Sequence, residues 1–121
     1  MSSQMSERED LLSLEEIKRI DALDLSTIEK HHLRLIAHCL ASFKSMSKSS
    51  SMKNFPSAES RLAWCTDQAS LEGQEAFITL LLQQFIVAEK YLDKLAKLYE
   101  IQPLEITLDQ LIAFTISESN H

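Results

Sequence analysis

From Gln74 to Tyr99 the chain can be wound as one long helix whose apolar residues cover far more of its circumference than a surface helix on a small domain requires. At about 100° per residue, Thr79, Gln83, Lys90, Asp93, Lys94 and Lys97 form a single narrow polar stripe. The remaining faces call for other helices or a partner. Phe77, Leu81, Phe85, Ala88 and Leu92 form one apolar stripe, and Ile78, Leu82, Ile86 and Leu80 supply a second. This is a demand on architecture, and it names no chemistry.

The rest of the chain supplies helices to meet it. A single glycine, Gly73, and two prolines, Pro56 and Pro103, leave little for the tight turns of β-sheets. The expected fold is all-α: a compact bundle of four to five helices in one domain spanning residues 1–121, with the 74–99 helix as its central or interface element. Gln83, Gln84 and Glu89 interrupt the apolar run before it reaches bilayer length, so no transmembrane insertion is expected. The opening MSSQMSERED has no apolar core of a secretory signal, and the expected location is cytoplasmic. In such a compartment Cys39 and Cys65 read as buried thiols rather than a disulfide.

Three capping boxes, in which a Ser or Thr and the Glu or Gln three residues later satisfy each other's orphan amides, mark helix starts. Ser13 to Glu16 opens a short helix directing Leu14, Ile17, Ile20 and Leu23 inward, although Ser6 to Glu9 offers an earlier start. Ser26 to Glu29 opens a second, running to about Phe43, with Ile28, His32, Leu35, Ile36, Cys39, Leu40 and Phe43 as the expected buried face. Thr107 to Gln110 opens a terminal helix after Pro103. A short helix from Ala58 to about Thr66 is expected to turn Leu62 and Cys65 to the core, beside Ala58 or Trp64. The serine- and lysine-rich stretch 45–57 reads as a flexible loop and a candidate for phosphorylation. Residues 1–12 and 117–121 read as frayed ends.

Charge is distributed in blocks. Residues 1–29 carry eight acids and three bases, 30–58 five bases and no acid, and 59–121 ten acids and four bases, for a net charge of −6. Lys30, Arg34, Lys44, Lys48 and Lys53 form a basic island able to contact an anion. The plainer reading sets them against the acidic first helix. Nucleic-acid binding is disfavoured, because the chain is acidic and no aromatics interleave with the lysines.

His31, His32, His38 and Cys39 suggest a metal at first sight, but residues seven apart on a helix are separated by about 10.5 Å along its axis, too far to share one ion. No cofactor and no metal is therefore expected. No nucleophile motif or phosphate-binding glycine loop occurs, so no catalytic residue is assigned. A hydrolase or redox protein would need Cys39 exposed and reactive. The expected function is a small, non-enzymatic protein-interaction or regulatory module. It would self-associate as a homo-oligomer, or bind another protein, through Ile78, Leu82, Phe85 and Ile86. The alternative is an anion- or nucleic-acid-associated regulator using the 30–53 segment.

Overall fold

The computed structural model describes residues 12–48, 53–69 and 75–119. The Ser6 start, most of the 1–12 end, the middle of the 45–57 loop, the residues leading into the long helix through Gln74, and the last two of the tail lie outside the described residues. Among those described, the chain forms five α-helices, a 3-10 turn and no strand: α1 (Leu14–Asp21), α2 (Thr27–Met46), α3 (Ala58–Ala69), α4 (Glu75–Tyr99), the turn Pro103–Glu105 and α5 (Leu108–Ser119).

All three expected capping boxes form. Ser13 N–H donates to Glu16 Oε1 at 2.9 Å and Glu16 N–H to Ser13 Oγ at 3.1 Å. The same pair of bonds joins Ser26 with Glu29, and Thr107 with Gln110. At α3, Ser57 Oγ accepts the N–H of Ser60 at 3.1 Å, a cap without the glutamate half of the box. The end of α4 is closed differently. Glu100 adopts φ 57°, and the N–H groups of Ile101 and Glu100 return to the carbonyls of Ala96 and Lys97, the Schellman pattern with a glutamate where glycine is usual.

The hub of the bundle is α2, not the long helix. It packs against α1, α3, α4, α5 and the 3-10 turn, whereas α4 packs mainly on α2 and α3. The buried face of α2 is correspondingly turned from the expected one: Leu33 and Ala37 join Ile36, Cys39, Leu40 and Phe43 in the core. Ile28 is 81% exposed and His32 is exposed, because the start of α2 borders an open groove against α4 and α5 that no side chain fills. In α1, Ile20 is buried but Leu14 is exposed, since it lies at the open end of the shortest helix. In α3, which runs to Ala69, Cys65 is buried, while Leu62 is half exposed and Ala58 exposed.

The core joins Phe43, Phe85, Leu92, Leu95, Ile106 and Leu111, all fully buried. Phe43 lies 5.1 Å from Phe85 and 5.5 Å from Phe55, ring centre to ring centre. Phe55 belongs to the stretch read as a free loop. That end of it is docked instead, because Lys53 C=O accepts the Leu104 N–H at 2.8 Å and Pro56 C=O accepts from Arg61 Nε at 3.1 Å. The C-terminal end also differs from expectation: residues 117–119 continue α5, and Glu118 approaches Lys94 at 3.8 Å.

Candidate protein-interaction surface

The surplus apolar surface of α4 divides along the helix. Between Ala88 and Ala96, the side chains of Ala88, Leu92, Leu95 and Ala96 are sealed against the bundle, and past them Leu98 is 63% exposed. In the N-terminal half, Phe77 is 50% exposed, Leu80 53%, Ile86 53% and Val87 55%. The reason is geometric. Residues 80 and 87 are two turns apart on nearly the same meridian, facing away from Phe85 and Leu92, while Phe77 sits near the free start of the helix. Here α2 and α3 cover only the side of Phe85, with Phe43 of α2 5.1 Å and Trp64 of α3 6.3 Å from its ring and Arg61 paired with Glu89. Covering each of these half-exposed side chains would contribute on the order of 1 kcal/mol.

Of the four interface residues expected from sequence, Ile86 is exposed, Ile78 and Leu82 are half-buried against the core, and Phe85 is fully buried. Phe85 is therefore a core residue, between Phe43 and Trp64, and is not available to a partner. The exposure of Val87 and Phe77 was missed. Periodicity placed Phe77 on the core stripe, correctly as to angle, but it carries no information on where the flanking helices stop.

Lys30, Arg34 and Lys44 are turned to this chain's own groups. Lys30 Nζ donates to Asp21 C=O at 2.7 Å and Arg34 pairs with the Asp21 carboxylate. Lys44 Nζ donates to Ile106 C=O at 2.7 Å. Desolvation holds the Lys44 ammonium below its usual pKa; nearby Glu16 opposes that shift and Lys53 adds to it. The side chains of Lys48 and Lys53 are exposed. The structure thus favours the plainer reading of this segment, with α1 and the 3-10 region as its counterparts. Buried Arg61 went unnoticed in the sequence: its guanidinium lies 4.8 Å above the Phe43 ring and bonds Pro56 and Glu89. A lone arginine on a short helix gives no spacing signal for such a role.

A second concavity, between the start of α2, the middle of α4 and the end of α5, is lined by Ile28, Glu29, His32, Tyr91, Thr115 and Glu118 among others. The His32 and Tyr91 rings meet edge to face at 5.2 Å. Tyr91 Oη and Thr115 Oγ1 share a hydrogen bond of 3.3 Å. Burial pushes the Tyr91 phenol above its usual pKa, Thr115 opposing and Glu118 reinforcing. Hydrogen bonds from Ser119 and then Ser26 hold the Glu29 carboxyl below the usual range. These are structural bonds among neighbours, with no nucleophile aligned to a base. Cys39 is fully buried, and desolvation raises its thiol to about 12, the reverse of an activated nucleophile. The hydrolase or redox reading therefore loses its candidate residue. Cys65 is likewise a buried free thiol. Among the described residues no three potential metal ligands converge.

The family model described as NDH complex assembly factor CRR9 matches residues 12–121. The chain belongs to that family. No curated protein and no solved structure matches it. The CRR9 description names assembly rather than a reaction, which agrees at the level of class with the expected protein-interaction module and directs attention to exposed apolar surface rather than to a pocket. Among the described residues no helix is long and apolar enough to cross a membrane.

Proposed function

We propose that this CRR9-family protein is a non-enzymatic assembly factor that holds a protein component of the NDH complex against the open N-terminal half of α4. The observation that carries the reading is the exposure of Leu80, Ile86, Val87 and Phe77 on one rigid helix whose other half is anchored in the core. Burial of such a patch supplies affinity without requiring a cofactor, and a helix presents it with little loss of conformational entropy on binding. The site of action is then wherever the NDH complex is put together.

Self-association through the same face is the competing use of this surface, and one experiment separates them. A photo-crosslinking amino acid is placed at Leu80 or Val87, with exposed Ala113 on α5 as the control position. Irradiation in the presence of purified NDH complex or its assembly intermediates is expected to join positions 80 and 87, but not 113, to an NDH-complex subunit. Adducts only between two copies of this chain would replace the proposal with homo-oligomerisation. Equal adducts from all three positions would remove the α4 face from consideration.

A further inference from the structure

We infer that α4 receives a single amphipathic α-helix of its partner, one with acidic residues along one edge; the inference rests on the docking role proposed above and specifies the element that docks. Phe77, Leu80, Val87 and Leu98, each at least half exposed, follow one side of α4 in steps that are sums of three and four. Gln84 and Tyr91, both half-buried, and exposed Lys94 fill the remaining places of the same series. The result is a seam of alternating three- and four-residue spacing that rises about 31 Å from Phe77 to Leu98 at about 1.5 Å per residue. A second helix packs its side chains into the gaps of such a seam, whereas an extended strand repeats every second residue and meets it out of step. Ile86 is off the line. It is turned about 100–120° from Val87 and Leu80, with exposed Thr79, Gln83 and Lys90 on the arc between.

The outer edge of the seam sets the charge of the incoming helix. Lys90 lies beside Val87, Lys94 is on the seam and Lys97 follows, all exposed. Lys94 is 3.8 Å from Glu118 and Lys97 3.0 Å from Asp93, but pairs so open to water give up little when a partner's carboxylate approaches. The inner edge is different, since Glu29 and Glu118 face the groove beside Tyr91. The acids of the incoming helix therefore belong on the one edge that lies over Lys90. A second copy can supply a matching helix in one way only. Among the described residues α1, α2, α3 and α5 each expose a single large apolar side chain, Leu14, Ile28, Leu62 and Ile116, too few to fill the seam. Two α4 seams laid together would bring Lys90, Lys94 and Lys97 from both copies, against Glu75 and the already bonded Asp93. An acid-edged helix meets those cations without importing more.

The test uses the full chain and three synthetic peptides, each about three heptads long. One carries leucine at the seam positions and glutamate along one edge, one has lysine in place of the glutamate, and one holds the first peptide's residues reordered so that leucines fall on every side. Calorimetry is run on wild type, on an apolar variant (Leu80→Ser, Val87→Ser), on Ile86→Ser and on Lys90→Glu. The glutamate-edged peptide is expected to bind wild type, to weaken at least about tenfold in the apolar variant and about threefold in Lys90→Glu, and to change less than about twofold in Ile86→Ser. The lysine-edged peptide is expected to bind wild type at least about threefold more weakly, and the reordered one not to bind. Equal binding of the ordered and reordered peptides overturns the helix, and equal binding of the two edges overturns its charge. A loss in Ile86→Ser as large as in the apolar variant overturns the seam. Purified NDH complex is titrated in parallel. If it weakens in the apolar variant while no peptide binds, the docking face stands and the helix inference falls; if it binds that variant as it binds wild type, the docking face itself falls. A wild-type dimer in light scattering that the apolar variant dissolves assigns the seam to a second copy. Circular dichroism and thermal melting establish that each variant keeps the wild-type helix content, as substitutions at exposed positions should.

Discussion

Two apolar stretches of α4, Leu80 to Val87 and Leu92 to Ala96, differ in how far the bundle covers them. Around Leu92 and Leu95 the helix is enclosed, with Tyr91 packed edge to face on Phe114 at 5.4 Å and bonded to Thr115. Around Leu80 and Val87 it meets only α3 and part of α2, and half of each side chain remains in water. Hydrophobic periodicity states how much surface must be covered. It is silent on what covers it: here the chain covers Leu92, Leu95 and Ala96 itself and leaves Leu80 and Val87 half exposed, the surface proposed above as the docking face.

That contrast can be broken most sharply by deletion at equivalent leucines. Leu92→Ala empties a sealed position and is expected to destabilise the protein by roughly 2–5 kcal/mol in urea titration. Loss of less than about 1 kcal/mol would mean that the enclosed half is loosely packed. The boundary between the halves is reported by Cys39, whose Sγ lies 4.0 Å from Gln84 C=O. Its thiol titrates near 9 in the unfolded chain and near 12 when folded. Above about pH 9 the unfolded state binds fewer protons, so stability is flat below that pH and falls as pH rises toward 12. At about 1.4 kcal/mol per unit, the full window amounts to roughly 4 kcal/mol. Urea midpoints at about pH 8 and pH 10.5 should show the decline and Cys39→Ala should reduce it. An unchanged slope in that variant would show the thiol already solvated.

Arg61→Ala comes next in size, at about 1–3 kcal/mol. This is less than for a fully enclosed pair, because the Glu89 left behind is 41% exposed and can be hydrated. Leu80→Ala is the smallest effect, expected within about 0.5 kcal/mol of wild type by thermal unfolding. A loss comparable with that of Leu92→Ala would erase the distinction between the halves.

Much of the fold was legible because its signals are local. A Ser or Thr with its acidic or amide partner three residues on fixes a helix start within one turn of chain, and the starts at residues 14, 27 and 108 follow directly from these boxes. The orientation of each helix was harder to read. Ile28 and Leu33 are equally apolar, and only the neighbours of α2 decide that Leu33 is covered and Ile28 is not. The candidate surface has the same limit. Ile86 and Leu80 were among the expected second stripe, whereas Phe85, assigned to a partner, fills the gap between Phe43 and Trp64 that only tertiary packing creates. The basic island was visible as composition. That Asp21 and Ile106 would occupy its cations was not, since these contacts join residues 9, 13 and 62 positions apart.

The most direct measurement of the central claim is the affinity of purified NDH complex, or an assembly intermediate of it, for the wild-type chain and for a Leu80→Glu, Val87→Glu variant of unchanged thermal stability. The open half of α4 as docking face predicts at least about a tenfold loss of binding in the variant. Wild-type affinity in the variant would contradict the account.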